Sequence, residues 1–322
     1  MTSPSLNDPF APGVCVADWG EVELLTHLRR WLGDVAPPSP QGMGDDTAVL
    51  PPRARNLLTT DSLVWQRHWD AAVTPAQAGG KLLKRNLSDL AAMGGRPAEA
   101  VMAAFLPAQT SVAWLEAFVR GLAEGAKEWQ VPLVGGDLTE SASDLAFNLT
   151  LLGHAESPIT RGTAKPGDTI WVTGSLGGSR ATHHFAFTPR LAAGQWLAAR
   201  SDVTAMIDVT DGLGKDLPAL LAPNAAAAVD WPQVPVREAV TAQTREPSAQ
   251  LAAALFDGED YELLFALHAD THPTELLADW DRAQPDPSAQ LTCLGEVVAR
   301  PASGEKIIEL PEFSGHAYEH FR

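Results

Sequence analysis

Cysteine is nearly absent from this chain, and positive charge is in short supply. The two cysteines, Cys15 and Cys293, lie far apart and outside any metal-ligand spacing. That argues against a disulfide scaffold or a structural zinc site and predicts a reducing, cytoplasmic setting. Only 23 lysines and arginines face 40 acidic residues, a formal charge of −17. Such a balance disfavours nucleic-acid binding, which relies on neutralising phosphates. It also means that an anionic substrate needs cations as partners. No apolar run reaches the roughly 18–20 residues that span a bilayer, so no membrane is expected. The segment Met1 to Gly13 has three prolines, no basic residue and no apolar block. It is expected to be a loose tail rather than a signal peptide. No P-loop, His-Arg-Asp or Asp-Phe-Gly pair, or Gly-x-Ser-x-Gly elbow occurs.

What remains is a globular composition, 45% hydrophobic and 20% charged over 322 residues, enough for two ordinary domains. A helix is predicted from Glu21 to Trp31, with Val22, Leu24, Leu25, Leu28 and Trp31 inward. A strand follows at Asn56 to Asp61. Thr74-Pro75 opens a helix that stops at Gly94-Gly95. A second helix over Val112 to Trp129 turns Trp114, Leu115, Phe118, Val119 and Leu122 inward. Strands are expected at Val131 to Val134, ending in Gly135-Gly136-Asp137, and at Leu145 to Leu152. Beyond a Pro- and Gly-containing boundary come strands at Thr169 to Thr173 and up to Asp208, a helix after Gly212 and a strand at Tyr261 to Leu267. This order suggests α+β layers, with domains at 15–155 and 156–322.

Six segments share one design, an apolar element running into Gly or Thr and then aspartate: Gly44-Asp45-Asp46, Thr59-Thr60-Asp61, Asn86-Leu87-Ser88-Asp89, Gly135-Gly136-Asp137, Asp208-Val209-Thr210-Asp211-Gly212 and Gly258-Glu259-Asp260. Singly, each reads as turn chemistry, and Asp211 as a cap on the helix after it. As a set they are hard oxygen ligands suited to Mg²⁺ and phosphate.

In order and spacing these segments resemble the thiamine-monophosphate kinase family, in the superfamily of aminoimidazole ribonucleotide synthetase and selenophosphate synthetase. Arg161 with Lys165-Pro166-Gly167-Asp168, the run Gly258 to Leu263 and the closing Tyr318-Glu319-His320-Phe321 extend the resemblance from about Glu21 to Phe321. It implies two α/β domains, the first dimerising through its sheet, with an active site in the cleft. By resemblance, Asp46, Thr59, Thr60, Asp61, Asp89, Asp137, Asp208 and Asp211 hold several Mg²⁺ ions. Gly136, Asp137, Arg161 and Thr210 lie along ATP. His68, Glu259 and Tyr318 contact thiamine monophosphate. No residue is implied as a general base. Read on their own, His68 is equally a surface histidine beside Trp65 and Trp69, and Tyr318 a packing residue. The chain departs from the family at Gln66-Arg67-His68-Trp69, at Thr210 in place of serine, at Leu138 in place of threonine, and at Asp257 in place of glycine. Another ATP-using member of the superfamily is the alternative. Selenophosphate synthesis would want a reactive cysteine in a glycine-rich, lysine-containing context, which Cys15 lacks.

Overall fold

The computed structural model describes residues 7–38, 41–43, 50–53 and 55–309. Gly44-Asp45-Asp46 and the closing Tyr318-Glu319-His320-Phe321 lie outside them. The chain divides into two compact units, residues 1–87 with 96–156 and residues 88–95 with 157–322.

The first unit contains α1 (Val16–Leu32), β1 (Asn56–Val64), most of α2 (Pro75–Ala92), β2 (Arg96–Pro107), α3 (Val112–Glu128), β3 (Leu133–Ser141) and β4 (Ala146–His154). Its sheet has the order β1-β4-β2-β3. The pairs β1–β4 and β4–β2 are antiparallel and β2–β3 is parallel. Side chains alternate across the sheet. Leu63, Phe147, Leu149, Leu151, Met102 and Ala104 are buried on one face, with the inward stripe of α3 as predicted. The other face exposes Leu58 (71%), Val101 (39%) and Phe105 (40%).

Local signals set the helix ends. Thr74 and Gln77 form a reciprocal cap at the start of α2, with Gln77 N–H donating to Thr74 Oγ1 and Thr74 N–H to Gln77 Oε1. At the other end Gly94 takes φ +67. Gly94 N–H then reaches the Ala91 carbonyl and Gly95 N–H the Leu90 carbonyl, a Schellman closure. Two differences from expectation stand out. Helix α1 bends at Gly20 (φ 71), and its buried stripe is Leu24, Leu28, Trp31 and Leu32. Val22 is 81% exposed, because two residues turn a helix by about 200° and take it off that stripe. Strand β3 does not end at Gly135 but runs through Gly136-Asp137 to Ser141, since β2 supplies a parallel partner along that length.

The second unit contains β5 (Thr169–Thr173), α4 (Ser179–Thr182), α5 (Leu191–Ala198), β6 (Val203–Asp208), α6 (Leu213–Leu220), β7 (Ala225–Val229), α7 (Glu238–Gln243), α8 (Pro247–Phe256), β8 (Leu263–Leu267), α9 (Pro273–Ala283), β9 (Leu291–Ala299) and β10 (Ile307–Ile308). Its sheet runs β10-β7-β9-β5-β8-β6. Because β8 is antiparallel to both β5 and β6, the ends of β5 and β6 and the start of β8 lie at one end of this sheet. The core beneath is aliphatic: Ile170, Val172, Ile207, Leu213, Leu217 and Leu264, among others.

Within the first unit, α2 and α3 touch backbone to backbone. A Cβ on Gly79 would fall 2.0 Å from the Phe118 carbonyl oxygen, and one on Gly121 would fall 2.2 Å from that of Ala76. Gly121→Ala must therefore push the helices apart, and overpacking of this kind costs about 1–3 kcal/mol. The urea midpoint should fall with an unchanged slope; an unaltered midpoint would show that the close approach is dispensable.

Candidate functional site

The sheet end in the second unit gathers three loops. The first follows β5 and runs Gly174-Ser175-Leu176-Gly177-Gly178. The second, after β6, runs Asp208 to Gly212. The third, Asp257 to Glu262, leads into β8. Glu259 N–H donates to the Thr210 carbonyl and Tyr261 N–H to the Val209 carbonyl. A Cβ on Gly258 would lie 2.7 Å from the Thr210 carbonyl oxygen. The loops are thus fastened to one another by backbone, and Asp208, Thr210, Asp211 and Glu259 come together here.

Asp208 is buried and accepts a hydrogen bond from Ser88 Oγ at 2.6 Å. This ties the last turns of α2, and with them half-buried Asp89, to the β6 loop. Asp211 does not cap α6. It pairs with Lys215 at 2.6 Å, while buried Asp216 accepts from the Thr210 and Asp211 amides, both at 2.9 Å. Burial, with Asp211 nearby, pushes Asp216 up to about 6. Arg161 is exposed, in a loop whose next residue donates its N–H to the Leu220 carbonyl.

Two buried carboxylates sit behind the loops. Glu262 is gripped by a two-bonded fork from Arg190, Nε to Oε2 and Nη2 to Oε1, each 2.8 Å, and Thr173 Oγ1 donates to it at 2.7 Å. Burial pulls the carboxyl toward its neutral form and the guanidinium toward deprotonation, while the fork favours both charges. Three donors on one carboxylate decide for the ion pair. Asp260 accepts from Gly177 N–H at 2.9 Å and from Arg237 at 3.1 Å. Burial outweighs the pull of Arg237 and raises Asp260 to about 7.

In the first unit the expected ligands divide. Thr59 and Asp61 lie on the helix-facing side of β1, and Asp61 pairs with Arg85 of α2 at 3.0 Å. Thr60 points to the open face, where its hydroxyl meets Thr150 Oγ1 at 3.0 Å and Asn148 Oδ1 at 3.1 Å. Asp137 shares that open face, registered with Ala103 as Ala103 is with Asn148. Three strand spacings separate it from β1, roughly 14 Å. Within this sheet Asp61 and Asp137 therefore do not meet. Gly136 has a packing reason of its own, since a Cβ there would lie 2.0 Å from the Met102 carbonyl oxygen. His68 sits in the turn after β1, with Nδ1 accepting from Val64 N–H at 2.9 Å. A neutral ring then carries its proton on Nε2. Among the described residues no group of three His, Cys, Asp or Glu side chains is placed to hold a metal ion.

Ser88, Asp216, Arg190 and His184 escaped the sequence reading. Ser88 stands inside a quoted motif, but the others carry no spacing signal, because their partners are 72 to 98 residues away or, for Asp216, are backbone amides.

The family described as AIR synthase related protein, N-terminal domain, matches residues 44–155, which span most of the first unit. The thiamine-monophosphate kinase of Rhodopirellula baltica is 32% identical over 305 residues, covering 89% of this chain and 92% of that protein. The crystal structure of thiamine-monophosphate kinase from Stenotrophomonas maltophilia K279a superposes with TM-score 0.72 at 30% identity, covering 88% of this chain and 94% of that one. AaThiL complexed with AMPPCP and TMP aligns with TM-score 0.69 over 96% and 99% of the two chains, and at 24% identity speaks for the fold. The chain belongs to the thiamine-monophosphate kinase family.

Raising the pKa of Asp260 has a signed consequence. The folded state holds this proton where the unfolded state has lost it, so the contribution to stability is largest below about pH 4 and declines as pH rises toward 7. Asp260→Asn, which stays neutral, should gain stability relative to wild type as pH rises from about 4 to about 7 and hold that gain above it. Denaturation at several pH values checks this, and a pH-independent difference would refute it.

Proposed function

We propose that the chain transfers the γ-phosphate of ATP to thiamine monophosphate, forming thiamine diphosphate and ADP. The observation that carries this is family membership at 32% identity across 92% of a thiamine-monophosphate kinase. An oxygen of the acceptor phosphate attacks the γ-phosphorus in line, the bond from that phosphorus to the β–γ bridging oxygen breaks, and ADP leaves. The attacking oxygen is already ionised, so no strong general base is needed, and catalysis is positioning and charge neutralisation.

Mg²⁺ fits the donor set. Asp208, Asp211 and the Thr210 hydroxyl at one sheet end are hard oxygen donors of the kind that ion takes. Asp46, Thr59, Thr60, Asp61, Asp89 and Asp137 are the further ligands in this reading; Asp61 and Asp137, on opposite faces of the first sheet, would serve different ions, and Thr60 would act through its carbonyl because its hydroxyl is committed on the open face. Bound Mg²⁺ would offset repulsion between the two phosphate groups. Gly136, Asp137, Arg161 and Thr210 line ATP, and His68, Glu259 and Tyr318 hold the thiamine half. His68 would offer Nε2–H as donor. The apolar open face, with Leu58, Val101 and Phe105, supports pairing of two chains through the first unit's sheet, since exposed apolar patches mark association surfaces. Units of 15–155 and 156–322 and a cytoplasmic setting belong to the same reading. No helix among the described residues is long and apolar enough to cross a membrane.

The reaction assay should give one ADP for each thiamine diphosphate. Diphosphate made from free thiamine with release of AMP would overturn the assignment.

Asp89→Asn and Asp137→Asn should each lower turnover on the order of a hundredfold, with unchanged melting temperatures and partial recovery at high Mg²⁺. Near-wild-type turnover of both at limiting Mg²⁺ would remove the metal role.

A further inference from the structure

The loop that carries Glu259 is fastened along its length to one segment, residues 178–187. Gly178 N–H donates to Asp257 Oδ2 at 2.7 Å, and Ser179 Oγ donates to the Gly258 carbonyl at 2.5 Å. His183 Nε2 lies 2.9 Å from the Asp260 carbonyl oxygen. The Phe187 ring stacks on Tyr261 with centroids 3.8 Å apart and planes 10° from parallel. Each of these contacts holds backbone or core. One holds a functional side chain: His184 Nδ1 lies 2.9 Å from Glu259 Oε2.

Glu259 needs such a partner. Its backbone is in the left-handed region, φ +56, which turns the side chain away from its buried neighbours Asp260 and Tyr261. Its carboxylate is partly exposed, 27%, against 18% for His184. A glutamate on a loop has three rotatable side-chain bonds, and an untethered one loses that freedom when a ligand binds. An ionised carboxylate only accepts, so the imidazole must present Nδ1–H to it.

We propose that His184 is a positioning residue for the acceptor: its Nδ1–H presets the Glu259 carboxylate that receives the thiamine half. This rests on the reading of Glu259 as an acceptor contact. His184 touches neither reacting phosphate, so its loss should weaken acceptor binding and leave ATP binding and the chemical step nearly unchanged. Asn is the conservative test, because its Nδ2–H occupies about the place of imidazole Nδ1–H, whereas Ala supplies nothing.

The experiment is steady-state kinetics of His184→Ala, His184→Asn and Glu259→Gln, with thiamine monophosphate and ATP varied in turn and melting temperatures recorded. His184→Ala should raise KM for thiamine monophosphate about three- to tenfold, move KM for ATP less than about twofold, and keep kcat near wild type. His184→Asn should recover most of the loss. If Glu259→Gln raises the acceptor KM and His184→Ala does not, the positioning role is wrong while the reading of Glu259 stands. If neither variant moves it, Glu259 does not meet the acceptor, and both fall. Equal changes in both KM values, or no rescue by Asn, would reduce His184 to packing and overturn the proposal.

Discussion

The end of the six-stranded sheet depends on a buried ion pair. Glu262 and Asp260 bring two carboxylates into a place with almost no water, where an unpaired charge costs several kcal/mol. Arg190, just before α5, takes Glu262 with two nitrogens and extends its third to Asp286 at 2.9 Å and Ser288 at 2.7 Å. The charge requirement becomes a backbone requirement. A Cβ on Gly174 would lie 2.2 Å from Glu262 Oε1, so the chain leaving β5 passes the fork only as glycine. The Gly-Gly pair further along that loop, which fits no dinucleotide fingerprint, has a packing explanation too. Gly177 abuts the backbone of Ala253 and Ala254, and Gly178 the side chain of Val240.

Strain accompanies this arrangement. Glu259 and Tyr261 both adopt positive φ, 56° and 53°, which costs about 1–3 kcal/mol each for residues with a Cβ. Three consecutive residues thereby go to different places: Glu259 stays accessible, Asp260 turns onto Arg237, and Tyr261 buries against Phe187. An ordinary strand would alternate them and send Glu259 and Tyr261 to the same side. The backbone bonds to Thr210 and Val209 and the Phe187 stack hold the conformation. Asp257, where the resemblance led to an expectation of glycine, fits without penalty because its φ is −66, and its carboxylate accepts from Gly178.

What could be read from the sequence was what local chemistry decides. Thr74-Pro75 and Gly94-Gly95 marked both ends of α2, since caps and left-handed glycines act within one turn. The stripe of α3 followed from its period. Where the partner lies far off, the reading failed. Gly135-Gly136 reads as the end of a strand, yet β2 pairs with β3 through Ser141. Tyr261 reads as a strand residue, yet the loop contacts force it left-handed. The aspartate segments share one design in the sequence, but period-two alternation in β1 and the register of β3 place Asp61 and Asp137 on opposite faces. No spacing in the sequence reports a face until the pairing is known.

Several of the acids proposed as ligands already have partners within their own unit: Asp61 has Arg85 in the first, and in the second Asp211 has Lys215, Asp208 the Ser88 hydroxyl and Glu259 His184. In a chain of net charge −17 such local pairing offsets repulsion among neighbouring carboxylates. It also grades them for the ligand role proposed above. At 2.6 Å the Lys215 ammonium competes directly for Asp211, but this pair is partly exposed, where an ion pair contributes only about 0–1 kcal/mol. A divalent ion can displace it at little cost. Asp208 is buried and accepts from the neutral Ser88 hydroxyl, and in a buried place the attraction between a carboxylate and a cation is strongest. In the proposed reading Asp208 would be the fixed ligand at this sheet end, held by Ser88, and Asp211 the one that exchanges Lys215 for the ion.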